Sequence, residues 1–174
     1  GGHAKACGFT IHKKNIPTFK ELLYREMETV PDDDFHCSYQ VIDDVKMEDL
    51  TIDFLNTLDM LLPYGQHFEY PLFRLKQCEL IKTRAFGNRY QKARTPHLQF
   101  KVIQKQVRNG RQAELKLPGV GYSLFDKFQY LLAQYQKPLF DIIFFAEFDD
   151  HSGKKKLGKK LRLNIVDIKI SEDQ

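Results

Sequence analysis

Cations and aromatic rings alternate along KTRAFGNRYQKARTPH, residues 82–97. Lysine and arginine bind phosphates, and flat rings stack on unpaired bases of any identity, so the combination is typical of proteins that hold single-stranded nucleic acid. Rings that only anchor a long loop on the protein are the alternative for Phe86 and Tyr90. The nucleic-acid-binding residues predicted in and near this run are Arg84, Phe86, Arg89, Tyr90, Lys92, Arg94 and Lys101.

The charge of the chain is concentrated around this run. Residues 74–112 hold 11 Lys or Arg and one acidic residue, a charge of +10, although the whole chain carries only +4. Residues 1–73 carry −7 and residues 113–174 carry +1. A basic segment this dense indicates a polyanion or an acidic partner. A basic face that serves only solubility is the alternative.

Two acidic clusters, DDDFH at residues 32–36 and DDH at residues 149–151, raise the question of a metal site. A two-metal nuclease needs carboxylates and histidines that converge from separate elements, whereas each cluster is a single run in an expected turn. No serine or cysteine has neighbours that would activate it as a nucleophile. The histidines His12, His67 and His97 are isolated. We therefore predict neither a catalytic residue nor a metal ligand in this chain.

The three cysteines and the hydropathy of the chain bear on its compartment. Cys7, Cys37 and Cys78 are odd in number, widely spaced and without a C-x-x-C pair, so we expect them to be reduced. The sequence shows no basic-then-apolar leader and no apolar run of about 18 residues or more. We expect a cytoplasmic location and no membrane contact.

The first part of the chain is predicted to contain short strands and two helices. ACGFTI favours a strand, and apolar residues at helical spacing favour a helix over residues 17–29. CSYQVID alternates like a half-buried strand, and MEDLTIDFLNTLDMLL predicts a helix that stops at Pro63. The apolar stripe of this second helix, predicted to be core, comprises Phe54, Leu55, Leu58, Leu61 and Leu62.

The part from residue 72 onward is predicted to be a barrel. Five stretches read as strands: PLFRLKQCELIK, HLQFKVIQKQV, AELKLPGV, PLFDIIFFAEF and KLRLNIVDIKI. One helix, SLFDKFQYLLAQYQ, separates the third from the fourth. This order is typical of the five-stranded OB-fold, and a small β-sandwich is the alternative. We predict an α+β chain with two domains, residues 1–71 and residues 72–174.

A second basic loop, DDHSGKKKLGKK, joins the predicted fourth and fifth strands. A lysine run by itself is usually a solvated loop. In an OB barrel, however, this loop and the loop between the first two strands can flank one binding face. We therefore add Lys154, Lys155 and Lys156 to the predicted nucleic-acid-binding residues.

The chain begins with GGHAKACGFTI. Adjacent glycines let backbone N–H groups approach an anion, and His3 adds a donor, although a tight turn before a strand explains the same residues. This stretch resembles the GGHxxAxGFTI motif of the DHH-associated domain in the DHH phosphoesterase superfamily. The rest of the chain is similar to the RecJ branch of that superfamily, the exonucleases specific for single-stranded DNA.

Further segments carry the resemblance. LDMLLPYGQHFEYPLF is similar to the family segment that joins the DHH-associated domain to the OB domain, with Pro63, Tyr64, Gly65, Pro71 and Phe73 in register. HFE at residues 67–69 departs from the family's Gly-Asn-Pro. PGVGYSLFDKF and LRLNIVDIKI resemble the family's third strand with its helix entry and its closing strand.

The resemblance implies a division of labour. In such enzymes a DHH domain holds manganese or magnesium, and the GGH motif binds the substrate phosphate across a cleft. By this likeness the phosphate ligands would be Gly1, Gly2 and His3, with Lys5 as a helper. No Asp-His-His motif occurs in this sequence, so we expect the chain to be a carboxy-terminal piece that does not hydrolyse DNA alone and holds no cofactor itself.

The sequence thus predicts the single-stranded-DNA-binding part of a RecJ-like 5′-to-3′ exonuclease of DNA repair and recombination. Single-stranded DNA is the expected partner, together with single-strand-binding or other repair proteins. Two alternatives stay open. One is a non-catalytic OB module that docks a protein in a replication or repair assembly. The other is a DHH phosphoesterase that acts on short oligonucleotides.

Overall fold

The chain divides into two units, residues 1–39 and 40–174. The structure, a computed structural model, describes residues 2–3, 6–31, 34, 38–65, 67–87, 96–108, 111–149 and 160–172. By packing, residues 40–71 group with the barrel that follows them. The division at residue 72, with assignment of the earlier residues to a DHH-associated domain, stays a prediction about family origin.

The first unit holds a small hairpin and one helix. Strand β1, Gly2–His3, pairs antiparallel with β2, Ala6–Cys7. Helix α1, Ile16–Met27, confirms the helix predicted over residues 17–29. Pro17 lies in its first turn, where no backbone N–H is needed for the helix ladder.

The second unit opens with a strand and a helix beside the barrel. Strand β3, Val41–Asp44, covers only the end of the predicted strand CSYQVID. Helix α2, Ile52–Asp59, is shorter than predicted because Thr51 caps it: the Thr51 side chain accepts the N–H of Phe54 at 3.1 Å.

The apolar stripe assigned to this helix is only partly core. Leu55 is buried, and Phe54 and Leu58 pack against the core. Leu61 and Leu62 lie beyond the end of α2 and are 50% and 51% exposed, so their assignment to the core is wrong. The helical period stops at Asp59, and the two leucines therefore no longer share a face with Leu55.

Five strands and one helix form the barrel, which confirms the OB-fold rather than the sandwich. They are β4 Leu72–Phe86, β5 His97–Arg108, β6 Arg111–Gly121, α3 Phe125–Gln134, β7 Phe140–Phe148 and β8 Leu161–Ile170. The strand order β4-β5-β6-β8-β7 closes through a β4–β7 pairing. All barrel neighbours are antiparallel except β6 and β8, which are parallel and separated in sequence by α3 and β7.

Strand β4 bends so that it can pair on both sides. Its first half pairs with β7 and its second half with β5, and the register shifts before Cys78 and before Arg84. Gln77 and Lys82, at the two shifts, have φ values of 54° and 53°. Such bulges increase twist and turn a strand at a barrel corner. Strand β3 extends the sheet by pairing parallel to the start of β4.

The core lies inside the barrel and under α3. Leu75, Val102, Ile142 and Leu163, from four different strands, are fully buried. Phe128 of α3 is 2% exposed and packs with the barrel residues. Alternate residues of each strand therefore point inward, which leaves the others to form an outer surface.

Two cysteines lie among the described residues, and both are free thiols. Burial raises the pKa of Cys78 to about 12, so this thiol stays protonated at neutral pH. Cys37 lies outside the described residues. No helix in the described part of the chain is both long and apolar enough to cross a membrane.

Candidate nucleic-acid interface

A groove of about 430 Å³ runs over the outer surface of strands β4, β5 and β6. We call it the central groove. Its lining residues are Arg84, Phe86, Gln99, Pro118, Gly119, Val120, Tyr122, Asp149 and Arg162. Strand β4 ends at Phe86 and β7 ends at Phe148, and the loops with the predicted cations follow these two strands. The groove lining therefore includes the end of β4, Phe86, and the residue after β7, Asp149.

Strand pairing explains why these residues share one surface. Arg84 is opposite Gln99, and Gln99 is opposite Val120. Residues directly opposite on neighbouring strands point to the same side of a sheet. The adjacent residues Leu98 and Phe100 are buried, so Arg84 and Gln99 face outward.

Arg84 and Phe86 lie on a strand, not in a loop. The sequence predicts a loop from residue 82, yet β4 continues to Phe86 and β5 begins at His97. The bulge at Lys82 shifts the register and lets pairing with β5 resume at Arg84, which a simple alternation does not foresee. A strand holds both side chains more rigidly than a loop would.

Three rings meet at one end of the central groove. His97 lies 5.3 Å from Phe86 and 5.1 Å from Tyr122 between ring centroids, in edge-to-face arrangements. The backbone N–H of Ser123 donates to His97 Nδ1 at 3.0 Å, which places the proton of a neutral imidazole on Nε2. Tyr122 is 51% exposed, so it is the ring most available for stacking. Phe86 is half-buried beneath it.

On one side of the groove, Arg162 is paired with two carboxylates. Its Nη2 lies 2.6 Å from Glu147 Oε1, and its Nη1 lies 3.3 Å from Asp149 Oδ1. The Arg162 side chain is only 17% exposed. Two carboxylates therefore hold this guanidinium in place and neutralise it. The backbone N–H of Asp149 also donates to the carbonyl of Lys160 at 2.8 Å, which closes the base of the β7–β8 loop.

On the side of the central groove away from Arg162, two cations have no carboxylate partner among the described residues. Arg84 and Lys101 are exposed on β4 and β5, and Lys101 is opposite Pro118 of the groove wall. Neither cation is within ion-pair distance of a carboxylate in the described ranges. Phosphates of a bound strand would therefore be attracted toward the β4–β5 side.

The remaining predicted residues have no described side chains. Gly1, Lys5, Arg89, Tyr90, Lys92, Arg94, Lys154, Lys155 and Lys156 lie outside the described residues, and Gly2 and His3 are described only as strand β1. Their predicted roles stay predictions. Of the acidic cluster at residues 149–151, only Asp149 is described, and it pairs with Arg162.

Sequence reasoning missed Tyr122, Gln99 and Arg162. Tyr122 sits in the turn after β6, and Arg162 is one polar residue of an alternating strand, so neither stands out from the pattern. Gln99 and Arg162 alternate with apolar residues on strands assigned to an OB barrel, and this alternation could have predicted that both face outward. The position of Tyr122 depends on the turn after β6 and could not be predicted from alternation.

A family model now adds to this geometry. The model of the RecJ OB domain matches residues 43–164. The chain belongs to the RecJ OB domain family. The match includes every residue that lines the central groove. It confirms the RecJ-like resemblance for the OB part, while the GGH motif lies outside the matched residues.

Comparisons with individual proteins add one similar structure and no curated relative. No curated protein matches this RecJ OB domain chain. Among solved structures, the chain is similar to a small single-stranded DNA binding protein from Mycoplasma pneumoniae, with 13% identity and a TM-score of 0.42. The alignment covers 59% of this chain and 95% of that chain.

Proposed function

We propose that this RecJ OB domain binds single-stranded DNA along the central groove. The observation that carries the proposal is one outward face that combines an exposed ring, Tyr122, with two cations lacking a carboxylate partner in the described residues, Arg84 and Lys101. Rings stack on bases and cations hold phosphates, which is how OB domains bind strands without reading sequence.

Each side of the groove has its own task in this proposal. Tyr122, supported by His97 and Phe86, stacks on a base. Arg84 and Lys101 attract the phosphates toward β4 and β5. Arg162 is held by Glu147 and Asp149 and contributes little net charge, so it shapes the other wall. The loop residues Arg89, Tyr90, Lys92, Arg94, Lys154, Lys155 and Lys156 extend the same contacts.

We further propose that the chain serves a RecJ-like 5′-to-3′ exonuclease of DNA repair and recombination. The catalytic metals, manganese or magnesium, would then belong to a DHH domain, with Gly1, Gly2, His3 and Lys5 contacting the substrate phosphate. Within the described residues no group of three or more His, Cys, Asp or Glu side chains could hold a metal ion. Because the metals would be held by the DHH domain, we propose that this chain alone does not hydrolyse DNA. Metal-dependent cleavage by the repurified chain alone would contradict this proposal.

Fluorescence anisotropy with a labelled single strand of about 20 nucleotides and its duplex tests the binding proposal. We expect tighter binding of the single strand. Tyr122→Ala should weaken it about tenfold, because one base stack is worth about 1 to 3 kcal/mol. Phe86→Ala should weaken it as well, since Phe86 supports the ring cluster.

Tyr130→Ala is the matched control, because Tyr130 is 65% exposed on α3 and lies outside the groove lining. It should bind like the unmodified protein. Unfolding temperatures of all variants separate lost contacts from lost folding. Equal affinity of the Tyr122 and Tyr130 variants would exclude stacking in the central groove.

A protein captured after nuclease treatment, with no DNA binding, would favour the docking alternative. Binding of a dinucleotide as tightly as the long strand would favour the short-substrate alternative.

A further inference from the structure

Four aromatic rings form a continuous row beside the barrel, with one stacked pair and two tilted pairs. Phe68 lies 5.4 Å from Tyr64, Tyr64 lies 4.5 Å from Tyr70, and Tyr70 lies 5.0 Å from Phe145 between ring centroids. The angles between successive ring planes are 28°, 40° and 30°. We call these four residues the aromatic ladder. Its rings are closer to parallel than the edge-to-face rings around His97.

A tight turn and one hydrogen bond build the aromatic ladder. Gly65 and Phe68 exchange two backbone hydrogen bonds, of 2.8 and 3.1 Å, which returns Phe68 to the side of Tyr64. The Tyr64 hydroxyl donates to the carbonyl of Leu58 at 2.8 Å. Burial raises the pKa of Tyr64, so the phenol stays protonated and keeps donating at neutral pH.

Two rings of the aromatic ladder, the end ring Phe68 and the inner ring Tyr70, are fixed by neighbours and yet remain accessible. Phe68 and Tyr70 are 49% and 51% exposed. Large rings that are half exposed and held in place offer apolar surface to solvent, and such surfaces commonly bind another molecule. Phe68 has a ladder neighbour on one side only. A cavity of about 270 Å³ opens beside Tyr64 and Tyr70, with Leu62 and Glu147 also in its wall.

The aromatic ladder continues the outward-facing row of the central groove. Phe145 is opposite Asn164 on β8, and Asn164 is opposite Val120 on β6. The same row continues through Gln99 to Arg84. Because opposite residues on paired strands share a face, one row runs from the phosphate-binding side of the groove to the innermost ring of the ladder.

The Glu147–Arg162 ion pair marks the border between the two sites. Glu147 lines the ladder cavity, Arg162 lines the central groove, and their side chains are 2.6 Å apart. The two cavities therefore adjoin through this ion pair.

Charge favours bases over phosphates at the ladder. Asp59 and Glu147 line its cavity, and because Glu147 is paired with Arg162, the repulsion rests mainly on Asp59. Carboxylates repel phosphates, but they leave the uncharged face of a base free to stack on a ring. A strand would therefore keep its phosphates on the cationic β4–β5 side and place only bases near the ladder.

We propose that the aromatic ladder is a second stacking platform for the DNA strand that occupies the central groove. This inference rests on the proposed function. It lengthens the site across β8 and β7, so that a longer strand contacts both platforms and a short strand contacts only the groove.

Strand length separates the two platforms in an anisotropy titration. Phe68→Ala/Tyr70→Ala should weaken binding of a strand of about 20 nucleotides about tenfold or more, and should leave a strand of about 6 nucleotides unaffected. Tyr122→Ala should weaken binding of both strands. Tyr130→Ala, the exposed control on α3, should weaken neither, and thermal unfolding checks that each variant is folded.

A fluorescent reporter tests stacking directly. The chain has no tryptophan, so Tyr70→Trp introduces the only indole. We expect the long strand to quench its emission and the short strand not to do so, whereas Tyr130→Trp should respond to neither. If the ladder variant bound the long strand with unchanged affinity while Tyr122→Ala still weakened binding, the proposed role of the aromatic ladder would be wrong. The proposed role of the central groove would stand. Absence of binding to both lengths in the unmodified protein would instead remove the proposed function itself.

Discussion

Single positions decide how closely the wall of the central groove can pack. Gly119 of β6 is opposite Phe100 of β5 and Leu163 of β8. A Cβ atom built at Gly119 would lie 2.7 Å from Cε2 of Phe100, which is 2% exposed. The ring therefore occupies the space of the missing side chain. The glycine of the predicted strand AELKLPGV is explained by this contact, which the sequence does not reveal.

Gly119→Ala should lower the free energy of unfolding by about 1 to 3 kcal/mol, because the Phe100 ring must shift within a packed core. Urea denaturation followed by circular dichroism measures this loss. Gly65→Ala is the matched control, since a Cβ there meets nothing within 4 Å. Equal stability of the two variants would show that the core accommodates the added methyl group.

At the scale of elements, an ion-pair group joins β3 to the barrel. Arg74 Nε and Nη2 donate to the two oxygens of Asp44 at 2.5 and 2.8 Å, and Lys76 Nζ lies 2.8 Å from Asp44 Oδ2. Hydrogen bonds from Arg74 and then Lys76 hold the pKa of Asp44 well below its ordinary value. The Asp44 side chain is 40% exposed, so solvent screens much of this attraction.

Asp44→Asn should destabilise the second unit by at most about 1 kcal/mol at neutral pH. The folded-state pKa of Asp44 is lowered, so its contribution is fully present above the unfolded-state pKa of about 3.9 and is lost as pH falls through the folded-state value. Unfolding measured across this acid range should show the difference between the two proteins shrinking as pH decreases. A double-mutant cycle with Arg74→Ala isolates the pair. A difference that stays constant from neutral to strongly acidic pH would assign the effect to something other than charge.

At the scale of the whole molecule, charge is distributed unevenly along the chain and over the barrel. The +10 of residues 74–112 includes Arg84 and Lys101, which have no carboxylate partner in the described ranges. Three other cations of that segment are paired: Lys105 with Glu79, and Arg74 and Lys76 with Asp44. Asp44 lies outside the segment, so the charge available to a polyanion is smaller than the +10 of the segment indicates.

The salt dependence of DNA binding should report this available charge. Each phosphate contact on a single strand contributes about 0.7 to the slope of log affinity against log salt concentration. We expect Arg84→Ala to lower the slope by about that amount. Tyr122→Ala should weaken binding with the slope unchanged, because a stacked ring releases no counterion. Identical slopes for Arg84→Ala and the unmodified protein would place the phosphates elsewhere.

The sequence by itself determined the barrel and the chemical class of its surface. Period-two alternation in five stretches, one helix between the third and fourth, and a dense basic segment were sufficient to predict an OB-fold with a basic surface, because these signals are local in the chain. They selected Arg84 and Phe86, which line the central groove, although the prediction put them in a loop instead of on β4.

Only the tertiary structure decided which residues meet. Tyr122 joins Phe86 through His97, Arg162 pairs with Glu147, and Tyr70 contacts Phe145 across 75 positions of the chain. The bulge at Lys82 sets the register that brings Arg84 opposite Gln99. Strand register and barrel closure are long-range pairings, and no local pattern of residue types specifies them completely.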